Sequence, residues 1–411
     1  MNNCCDGVKN AGRRAGGSAL MLAAFAAGWA VLYADRTALY PLLSVIAGEF
    51  ALSSTEVGLL TSTYFLLYLV LQIPAGMAGD RWGLKRVLLV TYALAGAGVI
   101  GLGLAGANYA WLLFFVGLHG LGAGGYYPAA YGTMLQVVPP ERRGISAAVV
   151  GTGMAAGLLA GLAMSGPVFE WLGSWRAPFV LLSIPTFLML GFFQLAVPEV
   201  KSAAACSWRD YRAILGDREL WLINIVTFTA LYGFWVAVTW GPTFLKLERG
   251  FSLGQAGLYT GLVALTALPA GLLWGRLSDR YGRKPLALMV LPCAALTLGT
   301  LSQVTSPPAI IAALLAFGLF SNSAFTPIMA AWTGDIVSRR YPGLMGAAIG
   351  VFNFVVMSAA IVAPTVSGFL RDATGSLVPA MLAGSALVLC GSLLLLLLPG
   401  KAAEETNKTG P

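Results

Sequence analysis

The chain has 411 residues, of which 58% are hydrophobic and only 10% are charged, and its mean hydropathy is +0.78. Soluble domains carry about 25% charged residues, so this composition excludes an ordinary soluble protein and indicates one that crosses a membrane repeatedly. The net charge of +8 does not indicate nucleic-acid binding, because the basic residues are dispersed in short segments between apolar runs. Five cysteines without metal-ligand spacing predict neither a disulfide framework nor a metal site.

Twelve apolar stretches follow one another, each near the ~20 residues that an α-helix needs to span a bilayer. The first stretch is too long for the apolar core of a signal peptide, so we expect it to be retained. We therefore predict an all-α membrane protein with twelve transmembrane helices. The predicted spans are 18–43, 57–79, 86–106, 109–136, 145–168, 176–197, 219–245, 254–277, 285–305, 308–334, 343–369 and 376–399.

The basic residues predict the orientation of these spans. Twenty of the 25 Lys and Arg residues fall on the side of both termini, four fall on the opposite side, and Arg36 lies inside the first span. Because positively charged loops stay on the cytoplasmic side, we expect both termini in the cytoplasm.

One short motif occurs twice, at an interval of 199 residues. Gly, Asp, Arg, Gly and Lys recur at identical spacing between two apolar runs, which predicts a short charged loop joining two helices. Glycine permits a tight turn, and the aspartate can meet helix N-termini or basic residues of its own loop. We predict that the motif controls conformational switching. Its residues are Gly76, Asp80, Arg81, Gly83, Lys85 and Arg86 in the first copy, and Gly275, Asp279, Arg280, Gly282 and Lys284 in the second.

This pair of motifs resembles the loops between spans 2–3 and 8–9 of the major facilitator superfamily. The same offset relates further landmarks, such as Pro128 to Pro327 and Gly151 to Gly350. The resemblance implies two parallel six-helix bundles, a substrate site between them, and transport by alternating access. The expected organisation is an N-terminal tail at 1–17, a first bundle at 18–197, a linker at 198–218, a second bundle at 219–399 and a C-terminal tail at 400–411.

Three ionisable side chains lie well inside the predicted spans: Asp35 and Arg36 in the first, and His119 in the fourth. A charge inside the bilayer is costly and usually faces a cavity where it functions. Adjacent helix residues do not face one another, so Asp35 and Arg36 are expected to have different partners. As alternatives, the pair lies at the outer interface, with the first span ending near Pro41, and His119 is a neutral imidazole hydrogen-bonded between helices.

The first two spans resemble the anion:cation symporter branch of the superfamily, which includes sugar-acid, hexuronate and vesicular organic-anion carriers. The resemblance rests on residues 33–37 (YADRT), 52–59 (LSSTEVGL) and 72–76 (QIPAG). It implies that Arg36 contacts the substrate anion and that Asp35 takes part in proton coupling.

The fourth span departs from the branch pattern. Val116 and Ala123 occupy the positions of the branch's arginine and acidic residue, which argues against a dianionic sugar acid as the substrate. His119 lies on the same helix face and is a candidate to replace part of the lost function. We predict that the residues contacting the substrate are Arg36, Tyr64, His119, Tyr127, Trp235, Asn322 and Asn353, and that Asp35 and His119 mediate proton coupling.

These observations predict a secondary transporter of a bacterial inner membrane that takes up a small carboxylate or sulfonate with H⁺, or alternatively with Na⁺. The alternative function is proton-driven efflux of a drug-like or amphipathic compound, because residues 161–167 are close to an antiporter pattern. They contain one residue more than that pattern, which makes efflux the less favoured function. A receptor or scaffold lacks support from any appended soluble domain. No catalytic residues and no cofactor are expected. The expected partners are the organic anion, the coupling ion and membrane lipid, with no nucleic acid, and the expected state is a monomer.

Overall fold

The computed structural model describes residues 2–104, 108–139, 142–200, 212, 214–341 and 344–398, with side chains except at 2–17, 80, 144, 268, 322, 323, 346 and 347. These residues form α-helices joined by short turns, and a 3₁₀ turn at Leu395–Leu397. Eleven helical segments of the described chain are long and apolar enough to cross a membrane. The helices are α1 Asn2–Thr37, α2 Leu39–Phe50, α3 Ser54–Trp82, α4 Leu84–Leu104, α5 Tyr109–Gly124, α6 Tyr126–Val137, α7 Arg143–Leu172, α8 Ala177–Ala196, α9 Arg218–Arg249, α10 Leu253–Tyr281, α11 Arg283–Gln303, α12 Pro307–Phe320, α13 Asn322–Arg340, α14 Met345–Met357, α15 Ala359–Thr374 and α16 Val378–Leu394.

Four of the predicted spans are divided rather than continuous. The fourth span consists of α5 and α6, which meet at Gly125, and the first, tenth and eleventh spans are divided at Ala38, Ser321 and Ser358. Each division precedes a proline by three or six residues, and proline cannot donate a hydrogen bond to the carbonyl four residues earlier. The prolines are Pro41, Pro128, Pro327 and Pro364. The predicted all-α architecture is confirmed, with proline-associated breaks that the span limits did not include.

Packing divides the chain into two compact units. The first comprises Met1–Leu39 and Leu66–Ala205, and the second comprises Tyr40–Phe65 and Cys206–Pro411. The segment from Tyr40 to Phe65 thus packs with the second unit, although it belongs to the first sequence repeat. The predicted bundle limits stay a prediction, and the predicted C-terminal tail and most of the predicted linker lie outside the described residues.

In the first unit, α1 and α7 approach each other along a stripe of glycines. Gly153, Gly157 and Gly161 are spaced four residues apart on α7, which places them on one helix face. A Cβ atom added to any of the three would lie 1.9–2.4 Å from a backbone carbonyl oxygen of α1. Residues without a side chain allow membrane helices to approach this closely. The stripe therefore holds the part of α1 that leads to Asp35 and Arg36 directly against α7.

In the second unit, a carboxylate from the end of α15 caps the beginning of α3. Asp372 accepts hydrogen bonds from the backbone N–H groups of Ser54, at 2.8 Å, and Thr55, at 2.7 Å. The first N–H groups of a helix have no partner inside the helix, so an acceptor with negative charge stabilises this end. Gly368 permits the approach, because a Cβ atom there would lie 2.1 Å from the carbonyl oxygen of Ser54.

A second carboxylate, Asp217, caps α9 in the same unit. One oxygen accepts from the N–H groups of Glu219 and Leu220, and the other accepts from Arg340 Nη1 and the Tyr341 hydroxyl, each at 3.1 Å. Burial alone would raise the pKa of Asp217, but hydrogen bonds from Leu220, Arg340, Tyr341 and Glu219 outweigh it and hold the pKa below its usual range. Asp217 therefore fastens the beginning of α9 to the end of α13.

Candidate transport site

Asp35 and Arg36 are both buried, and their side chains have separate partners. The Asp35 Oδ2 atom accepts a hydrogen bond of 2.8 Å from the Thr186 hydroxyl on α8. The Arg36 guanidinium lies over the ring of Tyr33, 4.0 Å from the ring centroid. The prediction that these neighbours have different partners is confirmed. Both residues lie inside a helical run, Ser18–Phe50, that is apolar enough to span a membrane, which favours an intramembrane position over an interfacial one.

Aromatic side chains surround this part of α1. The Trp29 ring lies 5.4 Å from the Tyr33 ring and 4.7 Å from the Tyr126 ring, between ring centroids. Trp29, Tyr33 and Arg36 follow at intervals of four and three residues, so they share one face of α1. The hydroxyls of Tyr126 and Tyr92 donate to carbonyl oxygens of α1, at 2.6 and 3.1 Å. The guanidinium is thus presented beside an aromatic cluster formed by Trp29, Tyr33, Tyr92 and Tyr126.

His119 is buried between α5 and α4. Its Nδ1 atom lies 3.2 Å from the carbonyl oxygen of Ala95, and because a carbonyl can only accept, Nδ1 carries the hydrogen. A Cβ atom added to Gly98 would lie 2.4 Å from the backbone nitrogen of His119, so the two helices meet with no space for a side chain. This is the interhelical hydrogen bond that the alternative interpretation expected. Arg36 is near enough to interact electrostatically with His119, whose roles in binding and coupling stay predictions.

The other predicted substrate contacts are divided between the two units. Tyr127 is in the first unit, where its ring stacks on Tyr131 with 4.4 Å between centroids. Tyr64 and Trp235 are in the second unit, and the Phe65 ring lies between them, 5.1 Å from Tyr64 and 4.6 Å from Trp235.

Two asparagines complete the predicted set. Asn353 is half-buried on α14 in the second unit, and the side chain of Asn322 lies outside the described residues. The structure therefore places Asp35, Arg36 and His119 in one unit. That all seven predicted residues contact the substrate stays a prediction.

The repeated motif is mostly helical, which corrects the prediction of a charged loop. Residues 76–82 form the last turns of α3 and residues 275–281 those of α10, and the only residues between helices are Gly83 and Gly282. These glycines have φ angles of +93° and +96°, a backbone conformation that other residues rarely adopt. A single glycine therefore separates the two helices in each copy, and there is no longer loop between them.

The lysine of each motif copy binds the end of another helix in its own unit. The Lys85 Nζ donates to the carbonyl of Gln194 near the end of α8, at 2.8 Å. Lys284 Nζ donates to the carbonyl of Leu396, just beyond α16, at 3.1 Å. Carbonyls at helix ends lack intrahelical donors and carry partial negative charge, so each lysine stabilises the last helix of its repeat.

The aspartates of the two copies do not share the same surroundings. Asp279 pairs with Arg283, which also pairs with Asp335 at 3.2 Å. By the 199-residue offset, Leu84 stands where Arg283 stands in the second copy, so the first copy cannot form the same pair. The Asp80 side chain lies outside the described residues, and the switching role of the motif stays a prediction.

Apolar, closely packed helices that bury charged side chains define a multi-pass integral membrane protein. A model of the Major Facilitator Superfamily matches residues 25–301 and again residues 225–411, so the chain belongs to this superfamily of membrane transporters. The chain is similar to the "Probable sulfoacetate transporter SauU" of Cupriavidus necator, with 28% identity over 87% of this chain and 88% of that protein. It is 26% identical to the "Hexuronate transporter" of Bacillus subtilis, over 88% and 90% of the two chains.

A solved structure supports the fold independently. A bacterial homologue of the human lysosomal transporter Spinster superposes with a TM-score of 0.79, covering 92% of this chain and 96% of that one. Its sequence identity is 18%, so it is evidence for the fold alone.

Proposed function

We propose that this protein takes up a small organic anion together with a proton, with Arg36 binding the anionic head group. The observation that carries the proposal is the burial of Arg36 in an apolar helical run, on the same face of α1 as Trp29 and Tyr33. A guanidinium in a low-dielectric site interacts strongly with a carboxylate or a sulfonate, whose oxygens match its paired N–H groups. The names of two relatives, which refer to sulfoacetate and to hexuronate, agree with an anionic substrate.

The substrate is expected to carry its negative charge at a single end. Among the described residues of the candidate spans, Arg36 is the Lys or Arg that lies far from a span end, whereas Lys246, Arg276 and Arg371 lie within five residues of one. Short carboxylates and sulfonates therefore fit better than sugar diacids, whose two carboxylates are far apart and need a basic residue at each end. Sulfoacetate is also a dianion, but its carboxylate and sulfonate share one carbon, so one guanidinium is within reach of both.

Ligand-induced thermal stabilisation of the purified protein tests this assignment. A ligand present at about 100 times its dissociation constant stabilises the folded state by about 2.7 kcal/mol, so binding is readily detected. We expect sulfoacetate and short monoanions to stabilise the wild type more than D-glucarate does, and an uncharged hexose to have no effect. Stabilisation by the hexose equal to that by the anions would exclude an anion site.

Substitution of Arg36 tests its role. Loss of a charge-assisted hydrogen bond costs about 1.5–3 kcal/mol, so Arg36→Ala should weaken anion binding by roughly 10- to 150-fold. Arg36→Lys should retain the charge but lose the bidentate geometry, so its affinity for the anion should lie between those of the wild type and Arg36→Ala. Arg176→Ala is the matched control, because Arg176 also stacks on an aromatic ring, with its Cζ 4.3 Å from the Trp175 centroid. If both alanine variants weaken binding equally, Arg36 is not a specific contact.

Proton coupling is assigned to Asp35. Uphill transport driven by protons needs a group that changes charge during the cycle, and Asp35 is a buried carboxyl next to Arg36 in sequence. Asp35→Asn should retain exchange of labelled for unlabelled anion across a membrane, since exchange needs no net proton movement, and should lose uphill uptake. Loss of exchange together with uptake would instead assign Asp35 to substrate binding or folding.

The cellular location is part of the same proposal. We infer a bacterial inner membrane with both termini in the cytoplasm, from the excess of Lys and Arg on the side of the termini. The protein would act as a monomer surrounded by lipid. A cysteine introduced at residue 84 should resist a membrane-impermeant label applied to intact cells. Rapid labelling that does not depend on transport would show that residue 84 faces the outside and that the proposed orientation is wrong.

A further inference from the structure

The hydroxyl group of Thr186 lies between two oxygen atoms and has one hydrogen to share between them. Its Oγ1 atom is 2.8 Å from Asp35 Oδ2 and also 2.8 Å from the carbonyl oxygen of Leu182, four residues earlier on α8. A carbonyl oxygen only accepts hydrogen bonds, and an ionised carboxylate also only accepts. With Asp35 ionised, the single hydrogen can therefore fill only one of these contacts.

Both contacts are filled when Asp35 carries a proton. The carboxylic acid then donates from Oδ2 to Thr186 Oγ1, and the hydroxyl turns its own hydrogen to the Leu182 carbonyl. With Asp35 ionised, the hydroxyl turns back and donates to Oδ2. Only a hydroxyl hydrogen rotates in this exchange, and the heavy atoms keep the positions that the structure shows.

We propose that Thr186 is a positioning residue for Asp35, whose hydroxyl accepts from the protonated acid, donates to the carboxylate, and so lets Asp35 gain and release a proton without losing its hydrogen bond. This inference rests on the proposed proton-coupled function. The proton balance is simple, because one proton enters from the side of uptake, resides on Asp35 Oδ2, and leaves on the opposite side as the anion is delivered.

The surroundings of Asp35 single out Thr186 for this role. The titratable or charged groups around this part of α1 are Tyr33 and Arg36 on α1 itself, Tyr92 on α4, His119 on α5, and Tyr126, Tyr127 and Tyr131 on α6. Tyr92, His119 and Tyr126 each hydrogen-bond a backbone carbonyl, and Tyr127 stacks on Tyr131. Helix α8 contains no ionisable residue, and those of α7 lie only near its ends. In the described part of the chain, Oδ2 has Thr186 as its hydrogen-bond partner and Oδ1 is buried without one.

The chain offers a closely matched control for a substitution of Thr186. Thr133 on α6 is also buried in the first unit, and its hydroxyl also donates to the carbonyl four residues earlier, that of Ala129, at 2.7 Å. The Thr133 hydroxyl therefore has a backbone hydrogen bond like that of Thr186 but no hydrogen bond to Asp35. Valine has the shape of threonine and lacks the hydroxyl, so Thr186→Val and Thr133→Val remove the same group from two buried helix faces.

The experiment measures the pH dependence of sulfoacetate uptake by proteoliposomes containing the wild type, Thr186→Val, Thr186→Ser, Thr133→Val or Asp35→Asn. Thr186→Val removes the hydrogen bond from both forms of Asp35, and the charge-assisted bond to the carboxylate is the stronger of the two, so the proton is retained to higher pH. The alkaline limb of the pH profile should then move upward by about 0.5 to 1 pH unit, with the KM for sulfoacetate changed less than about threefold. Thr186→Ser and Thr133→Val should follow the wild-type profile.

The outcomes separate this inference from the proposed function. If Asp35→Asn loses uphill uptake while Thr186→Val keeps the wild-type profile, the role of Thr186 is wrong and the proposed function stands. If Asp35→Asn still accumulates the anion, the assignment of coupling to Asp35 fails, and the inference fails with it. A profile for Thr186→Ser that matches Thr186→Val, or an equal shift in Thr133→Val, would also overturn the inference, because the hydroxyl would not be the cause.

Discussion

The glycine stripe of α7 makes a quantitative prediction about the position of Arg36. In Gly157→Ala, the new Cβ atom would lie 2.2 Å from the carbonyl oxygen of Ala30 and 2.7 Å from Cβ of Tyr33, the residue on which Arg36 stacks. Ordinary contacts between non-bonded carbon atoms are about 3.5–4.0 Å, so α1 and α7 must separate by roughly 1 Å at this point. Overpacking of a close-packed interior costs about 1–3 kcal/mol.

Gly151→Ala is the control for this change. Gly151 lies on the same helix, and an added Cβ atom there would have no neighbour within 4 Å. We expect thermal unfolding of the purified Gly151→Ala protein to match the wild type, and that of Gly157→Ala to occur several degrees lower. Anion affinity should also fall in Gly157→Ala, because Tyr33 and Arg36 move with α1. Equal unfolding temperatures and equal affinities in the two variants would refute the close contact between α1 and α7.

Two capping carboxylates of the second unit give further predictions. Asp217→Ala should lower the free energy of unfolding by about 1–2 kcal/mol at pH 7, the usual cost of losing a helix cap. Because the folded-state pKa of Asp217 is lowered, its contribution is present above the unfolded value of about 3.9 and is lost as the pH falls below it, so unfolding of the wild type and the variant should converge in acid. A difference that stays constant down to pH 3 would contradict this. Asp372→Ala should also lower the unfolding temperature. Asp372→Asn should lower it less, because the amide oxygen can still accept a hydrogen bond from Ser54 or Thr55. Equal unfolding temperatures for the two variants would show that these hydrogen bonds contribute nothing.

The sequence predicted the helical architecture well, because its signals are local. Long apolar runs, prolines and the repeated glycines are all visible in the chain, and the turns at Gly83 and Gly282 lie where the motif predicted them. The length of the turn was not predicted. A single glycine with a positive φ angle replaces a loop, and the motif does not show where the flanking helices begin and end.

The surroundings of the charged pair were only partly predictable. Adjacency in a helix implied that Asp35 and Arg36 point apart, and the interval of Trp29, Tyr33 and Arg36 could have indicated one aromatic face. Thr186 carries no such signal, because a threonine in an apolar run fits any packed helix. Its importance arises only when folding brings it to Asp35, 151 residues earlier in the chain.

The central claim is that proton movement drives anion uptake through Asp35, and an imposed pH gradient tests it most directly. Proteoliposomes that are more acidic outside than inside, without a Na⁺ gradient, should accumulate labelled sulfoacetate above its external concentration. A protonophore should abolish the accumulation, and Asp35→Asn proteoliposomes should exchange the anion without accumulating it. If wild-type uptake ignores the pH gradient and follows a Na⁺ gradient or a counter-anion instead, the account of proton coupling is contradicted.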